Sequence, residues 1–181
     1  MTKIKCRILI FLAISIVSAQ QTGFVVYSEG HAHKRTLTLN RFVDGKFDKP
    51  EKICDRGEFG GDIESQISFD GKWVAFARSL QGTSDRYGGN DYHDFHLWDI
   101  YIVRIDRRLP ANPIRVGHGY WPSWGDDSDT ESKTLYYSVQ ETRTVRAATI
   151  HSNGTIADDR EHLKWPSDAL HFTMCSPNGT F

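Results

Sequence analysis

Short apolar runs separated by turns rich in Gly, Asp and Asn recur along the chain. The clearest case is residues 67–77, where two apolar runs flank Ser68-Phe69-Asp70-Gly71-Lys72. Asp-Gly between two hydrophobic segments predicts a β-hairpin, because Gly tolerates positive φ and Asp tolerates the tight turn. Periods of 3.6 residues are absent while Thr, Val, Tyr and Trp are plentiful. We therefore predict an all-β fold, with no helix beyond an N-terminal leader.

Two later segments of the chain resemble this turn sequence less closely. Ser-Pro-Asn-Gly-Thr at residues 176–180 matches residues 68–72 position for position, and Trp124-Gly125 leads through a short acidic insertion into residues 134–138. Taking Ser68, Gly125 and Ser176 as equivalent gives spacings of 57 and 51 residues. A period near 50 with about four strands per unit predicts the blades of a β-propeller, built of four-stranded antiparallel sheets.

The predicted strands fall into three units and the start of a fourth. The units cover approximately residues 23–60, 61–118 and 119–168, with the next unit starting at 169–181. Their predicted strands are 23–28, 35–42 and 50–54; 63–69, 73–79, 97–105 and 113–116; 120–124, 134–139, 144–150 and 161–165; and 170–176. The first unit lacks the strand that precedes the turn in the others, since residues 23–28 correspond to the strand that follows it.

Three open units would expose strand edges and sheet faces, which soluble proteins avoid. We therefore expect the chain to be the front part of a longer protein, with the missing strand supplied by sequence beyond Phe181. A truncated or mispredicted reading frame is the alternative. The positions expected in the core are Val25, Leu39, Ile67, Phe69, Val74, Phe76, Ile100, Ile102, Trp124, Leu135 and Tyr137.

The first 19 residues have the pattern of a secretory signal peptide. Three basic residues precede a ten-residue apolar run at 8–17, and Val17-Ser18-Ala19 precedes Gln20. The run is shorter than the roughly 20 residues that span a bilayer. We predict cleavage after Ala19, export to the periplasm or the medium, and no stable membrane insertion afterwards. An uncleaved anchor or a chance apolar start is the alternative. We expect Cys54 and Cys175 to be buried free thiols rather than a disulfide.

Composition narrows the classes of partner. The chain has 181 residues, a formal net charge of −1 and 12% aromatic residues. This is the composition of one globular domain, and it does not favour binding to nucleic acid or to an acidic membrane surface.

Residues 68–76, followed by Asp99-Ile100-Tyr101-Ile102-Val103, resemble the repeat of TolB-like, WD-type β-propellers. Residues 120–124 are similar to that family's Pro-x-Trp entry to a blade, and residues 176–179 match its turn again. Phe69 replaces the usual Pro, and the mixed domain that precedes the propeller of TolB itself is missing. The resemblance implies an incomplete six- or seven-bladed propeller that is usually exported and acts as a binding platform. Some members of the family are attached to peptidase or lyase activities.

One loop carries candidate metal ligands. Asp91, His93, Asp94 and His96 lie within six residues, and imidazole and carboxylate groups suit zinc, manganese or similar divalent ions. An exposed polar loop without a metal is the alternative, because this spacing is not an established ligand signature. No catalytic residues and no cofactor are predicted.

We therefore expect an exported, non-catalytic binding or scaffold module that recognises a protein, a peptide or a glycan, and not a nucleic acid. The alternative is the propeller portion of a secreted enzyme. That enzyme would be either a peptidase with a downstream catalytic domain or a metal-dependent polysaccharide lyase.

Overall fold

A computed structural model describes residues 22–29, 35–55, 61–79, 98–125 and 131–165. Within these ranges every regular element is a β-strand, so the all-β prediction is confirmed there. The strands are β1 (Thr22–Glu29), β2 (Thr36–Val43), β3 (Lys46–Phe47), β4 (Glu51–Lys52), β5 (Asp62–Ile67), β6 (Trp73–Ser79), β7 (Trp98–Arg104), β8 (Ile114–His118), β9 (Tyr120–Trp124), β10 (Ser132–Val139), β11 (Thr144–His151) and β12 (Ile156–Lys164).

The strands form three four-stranded antiparallel sheets. The second sheet has the order β5-β6-β7-β8 and the third the order β9-β10-β11-β12, so each is a simple meander. In the first sheet β1 pairs with β2, and β2 pairs in turn with β3 and β4. The predicted antiparallel four-stranded units are thus present, while their number in the whole molecule and their closure into a propeller stay predictions.

The hairpin predicted at residues 68–72 is confirmed in detail. Ser68 Oγ donates to Asp70 Oδ1 at 2.6 Å and accepts the amide of Trp73 at 3.0 Å, while the amide of Lys72 donates to the same Asp70 oxygen at 3.1 Å. Gly71 has a φ of 68°, the left-handed region that Gly enters without steric cost. The turn therefore joins β5 to β6 through side chains that satisfy the backbone.

The first sheet is narrower than the other two. Phe42 of β2 pairs with Gly23 of β1 on one side and with Phe47 of β3 on the other, and Thr38 likewise lies between β1 and Lys52 of β4. Among the described residues, strands β3 and β4 therefore share one position beside β2, and the first sheet is three strands across. That the first unit lacks a strand stays a prediction.

Apolar side chains fill both faces of the second sheet. One cluster joins it to the third sheet and includes Ala75, Ile100, Ile102, Leu135 and Tyr137. The other cluster joins it to the first sheet and includes Leu37, Leu39, Val74, Phe76 and Val103. The second sheet therefore lies between the other two, and β7 is buried on both sides as its sequence predicted.

Three core predictions need correction. Val25 is 47% exposed, because it alternates with Phe24 and Val26, which pack against the cluster between the first two sheets. Phe69 is 58% exposed because it occupies the turn rather than the strand. Ile67 is only half-buried at the end of β5. The other eight predicted core residues are buried.

Several boundaries also differ from the sequence-based prediction. β3 was not predicted, β4 is shorter than the strand expected at 50–54, and β12 starts at Ile156 instead of 161. The signal peptide, the loop at 80–97 and the strand expected at 170–176 lie outside the described residues. In the part of the chain that the structure describes, no helix is long and apolar enough to cross a membrane.

Candidate functional site at the His118 end of the sheets

Ionisable and aromatic side chains gather where β6 and β8 end and where β5, β7 and β9 begin. We call this side of the sheets the His118 end. Antiparallel pairing brings Asp99, near the start of β7, opposite His118 at the end of β8. The amide of Gly119 then donates to the carbonyl of Trp98 at 3.0 Å, so the second sheet passes into the third through a single residue.

Asp99 holds two of these side chains together. Its own side chain is only 2% exposed, yet it pairs with Arg115, whose side chain is 54% exposed, and with His118, whose side chain is 34% exposed. Arg115 Nη2 donates to Oδ1 at 3.1 Å, and Arg115 Nε bonds the second carboxylate oxygen. His118 Nδ1 lies 3.3 Å from Oδ1. A buried carboxylate thus anchors two partly exposed donors, in the strong geometry of a bidentate arginine pair.

His118 also reaches the third sheet. Its Nε2 lies 3.2 Å from Oε1 of Glu141, which follows β10 and whose side chain is 40% exposed. A neutral imidazole has one N–H, so it can donate to only one of the two carboxylates at a time, whereas imidazolium can donate to both. His118 therefore links the buried carboxylate of the second sheet to a carboxylate of the third.

Gly119 permits the close approach of the two sheets. Its φ is 150°, and a Cβ at this position would lie 2.5 Å from the carbonyl oxygen of Ser138 in the third sheet. Any other residue would push β8 away from β10 and separate His118 from Glu141. The next residue, Tyr120, donates its hydroxyl to Oε1 of Gln140 at 2.7 Å, which ties the same two elements together again.

The carboxyl group of Glu64 lies beside this cluster and forms no ion pair with any of the described residues. Glu64 Oε2 accepts the backbone amide of Trp121 at 3.0 Å, which links β5 to β9. Burial raises the pKa of Glu64 to about 7, and the hydrogen bond from Trp121 opposes that shift only in part. Both residues have positive φ, 54° for Glu64 and 51° for Trp121. Glu64 sits at a register shift between Ile63 and Gln66, the kind of bulge that re-aims a side chain.

A second charged group lies deeper, between the first and second sheets. Asp62 and Arg78 are almost fully buried and form a two-point ion pair at 2.6 and 2.9 Å. Arg78 Nη2 also lies 3.2 Å from Cys54 Sγ. Cys54 is a buried free thiol, as predicted, and burial raises its pKa to about 11. A thiol that stays protonated and inaccessible is a poor nucleophile, so this group supports the fold and not a reaction.

The predicted metal ligands Asp91, His93, Asp94 and His96 lie outside the described residues, as does Cys175. Ser79 ends β6 and Trp98 begins β7, and both of these described residues lie at the His118 end. Among the residues that are described, no group of three or more His, Cys, Asp and Glu side chains is arranged to hold a metal ion.

Sequence reasoning missed the site that the structure brings together. Asp99, the β8 residues Arg115 and His118, and Glu141 come from three separate parts of the chain, and their contact depends on the register of β7 with β8 and on the packing of the third sheet. One local signal was present, since Asp99 is a charged residue directly before the apolar run at 100–103. A buried Asp must be paired, so its partners were worth seeking.

The opposite end of the sheets holds a small cavity. Its volume is about 40 Å³, and its lining includes Asp70, Lys72, Arg104, Glu131 and Lys133. That is room for about three water molecules, far below the roughly 300 Å³ at which small-molecule sites begin. Its charges already pair with one another, since Lys133 lies 3.2 Å from Asp70 and Arg104 pairs with Asp106.

Comparison of the chain with protein-family models, with curated proteins and with solved structures finds no match to any of them. The chemistry of the His118 end is therefore the main basis for a functional proposal.

Proposed function

We propose that this protein is an exported binding module of the TolB-like propeller type, which recognises a protein, a peptide or a glycan at the His118 end of its sheets and does not catalyse a reaction. The observation that carries the proposal is the cluster of Asp99, Arg115, His118 and Glu141. In it, a buried carboxylate fixes side chains whose polar tips remain open to solvent. Such pre-organised polar groups cost little entropy to order when a ligand binds.

The balance of charges limits the ligand. With His118 neutral, the cluster carries one cation and two carboxylates, so it does not attract a strongly acidic polymer. Arg115 donates from Nε and Nη2 to Asp99, so its Nη1 remains available as a donor to a ligand. The second oxygen of Glu141 can serve as an acceptor. A ligand with alternating donors and acceptors, such as a peptide backbone or a neutral sugar, fits this arrangement.

An array of immobilised neutral and acidic oligosaccharides and of peptides tests the proposal. We expect the protein to retain neutral or zwitterionic probes, and Arg115→Ala to weaken that retention at least tenfold. Lys72→Ala is the matched control, because Lys72 is an exposed cation at the opposite end of the sheets, and it should bind as the wild type does. Equal losses in both variants, or turnover of a retained probe, would overturn the proposal.

Export is part of the proposal and rests on the N-terminal sequence pattern. N-terminal sequencing of the protein secreted by cells that express the whole chain should begin at Gln20. A protein that starts at Met1 and stays with the cells would contradict it.

A metal-dependent polysaccharide lyase is the second candidate. The observation that favours it is topological, because Ser79 and Trp98, which flank His93 and His96 in the chain, lie at the same end of the sheet as Asp99 and His118. This reading requires a bound divalent ion that is lost in His93→Ala and His96→Ala. Elemental analysis of the purified protein distinguishes the two functions. A wild type without bound metal would contradict the lyase function and favour the non-catalytic binding module.

A further inference from the structure

The hairpin turn between β11 and β12 carries a motif that the proposed function does not use. Asn153-Gly154-Thr155 follows His151, the last residue of β11, and directly precedes Ile156, the first residue of β12. Asn followed two residues later by Thr, with a residue other than Pro between them, is the acceptor sequence for N-linked glycosylation of exported proteins. Because the motif is short, the conformation and exposure of these residues are the evidence that matters.

The turn is built from local interactions. The amide of Gly154 donates to the carbonyl of His151 at 2.8 Å, and the amide of His151 donates to the carbonyl of Thr155 at 2.9 Å. Gly154 has a φ of 92°, in the left-handed region that Gly enters without steric cost. This is a common hairpin loop, in which a Gly of positive φ closes a tight turn. The acceptor segment therefore takes its shape within residues 151–155.

Asn153 directs its side-chain nitrogen away from the turn. The amide of Thr155 donates to Asn153 Oδ1 at 2.8 Å. A backbone N–H can bond only the oxygen of a carboxamide, so this bond fixes which side-chain atom faces the backbone. Nδ2, the atom to which a glycan is linked, lies on the other side of the carboxamide. Asn153 and Thr155 are both exposed, so the nitrogen and the hydroxyl of the motif are accessible together.

The residues on either side of Asn153 are held against the second sheet. The carbonyl of Ser152 accepts a hydrogen bond from Arg104 Nη1 at 2.8 Å. Gly154 is buried, and a Cβ at this position would lie 2.7 Å from Cδ1 of Ile114. The turn is therefore fixed in place while Asn153 itself faces solvent. A glycan linked to Asn153 would leave the fold without displacing any of these contacts.

The chemistry of the turn accounts for two of the three residues of the motif. Asn and Gly are frequent in hairpin turns, so Asn153 and Gly154 are expected from the fold alone. The turn uses the backbone amide and carbonyl of Thr155, and neither bond requires a hydroxyl at this position. A hydroxyl at the third position is, by contrast, a defining part of the acceptor motif. Thr155 therefore separates the two explanations, and an experiment can change it alone.

We propose that Asn153 carries an N-linked oligosaccharide that is added as the protein is exported. This inference rests on export, which is part of the proposed function. The co-substrate is an oligosaccharide joined to a lipid through a diphosphate, supplied by the secreting cell. Asn153 Nδ2 forms a bond to the anomeric carbon of the sugar, and the bond from that carbon to the diphosphate oxygen breaks. The lipid diphosphate leaves and, in the net reaction, takes up the proton that Nδ2 loses, so nothing is oxidised or reduced.

The position of this site is compatible with the binding cluster. β10 ends beside Glu141 at the His118 end, so β11 starts at that end and finishes with His151 at the opposite end. A glycan on Asn153 therefore projects from the end of the sheets that does not hold the cluster. It keeps that end in contact with solvent and leaves the His118 end open to the ligand.

Mass spectrometry of the protein purified from its natural source tests the proposal. Trypsin releases residues 147–160, which contain Asn153 and no other Asn. We expect this peptide to carry a glycan that peptide-N-glycosidase removes. A second Asn-x-Thr, at residues 178–180, lies outside the described residues and falls on a different tryptic peptide. A secreted protein that begins at Gln20 but yields only the unmodified peptide would overturn the glycosylation and leave export standing. A protein that begins at Met1 and stays with the cells would overturn both.

Two variants of Thr155 separate the glycan from the turn. Thr155→Val keeps a β-branched side chain and the backbone bonds of the turn but removes the hydroxyl, so we expect complete loss of the glycan. Thr155→Ser keeps the hydroxyl and should remain glycosylated. Both are expressed in secretory cells that glycosylate the wild-type chain, and circular dichroism should be the same for both after the glycan is removed. A glycan that persists on Asn153 in Thr155→Val, or that is absent from Thr155→Ser, would contradict the assignment.

Discussion

The two faces of the second sheet each hold a buried carboxyl group, and the cost of burying its charge is reduced in a different way on each face. Towards the first sheet, Asp62 is paired at two points with Arg78, and both side chains are almost completely buried. Towards the third sheet, Glu64 accepts hydrogen bonds from Trp121, and within the described residues it forms no ion pair. The first carboxylate is neutralised by a cation, whereas the second lowers the cost of its burial by taking up a proton.

The difference separates a structural group from a responsive one. The two-point ion pair of Asp62 with Arg78 is a structural group on the face of the second sheet towards the first. Glu64 gains or loses a proton near pH 7, so the contact between the second and third sheets should depend on pH. The candidate binding cluster lies at this second contact, because His118 of the second sheet bonds Glu141 of the third.

The largest effect on stability is expected from removing the cation of the buried Asp62–Arg78 pair. Arg78→Met leaves Asp62 buried without a cation, and we expect it to lower the free energy of unfolding by about 3–5 kcal/mol. The double variant Arg78→Met/Asp62→Leu removes both charges and should recover most of that loss. Urea unfolding followed by tryptophan fluorescence measures both. A single variant that loses less than about 1 kcal/mol would show that the pair is not shielded from water.

A smaller and pH-dependent effect on stability is expected from Glu64, which forms no ion pair with the described residues. The folded-state pKa of Glu64 is about 7, above its ordinary value of 4.5, so the folded protein binds more protons than the unfolded chain between those values. Stability should therefore fall as pH rises from about 4.5 to about 7 and then level off, by on the order of 2 kcal/mol.

Glu64→Gln tests this assignment because Gln can still accept the Trp121 amide but does not titrate. In urea unfolding at pH 5 and pH 8, the wild type should be less stable at pH 8 by the amount given above, after subtraction of the change seen in Glu64→Gln. Identical pH profiles for the two proteins would mean that Glu64 is solvated and ionised throughout.

The smallest effect is expected for a polar contact at the rim of the third sheet. Tyr137 is buried and donates its hydroxyl to Asp159 Oδ1 at 2.8 Å. Tyr137→Phe keeps the ring and removes this bond, so we expect a loss of about 1 kcal/mol in thermal or urea unfolding. Lys52→Ala serves as a control, because the exposed pair of Lys52 with Asp55 should contribute at most about 0.5 kcal/mol. Equal effects in the two variants would contradict the burial of the Tyr137 hydroxyl.

The sequence predicted the strands best where turn residues bracket a short apolar run. Residues 73–79 and 120–124 were predicted with the bounds that the structure gives, because the Asp-Gly turn ends just before Trp73 and Gly125 follows Trp124. Val25 was assigned to the wrong face because Phe24, Val25 and Val26 are all apolar. In such a run the sequence does not show which side chains point into the core. Only the packing of β1 on the second sheet fixes which of the three points inward.

The candidate site could not be predicted in the same way. Asp99 meets His118 through the pairing of β7 with β8, and His118 meets Glu141 through the contact of two sheets. These are long-range contacts without a local sequence pattern. The pattern that did attract attention, with His93 and His96, lies in a part of the chain that the structure does not describe.

The most direct test of the binding proposal is a spectrum of the histidine side chains. The protein is labelled with ¹⁵N at histidine, and its ring resonances are recorded with and without the oligosaccharide or peptide that the array selects. We expect the ring nitrogens of His118 to shift, since they lie between Asp99 and Glu141, while those of His151 at the opposite end of the third sheet stay unchanged. A shift of His151 with no change at His118 would place the ligand elsewhere and contradict the account.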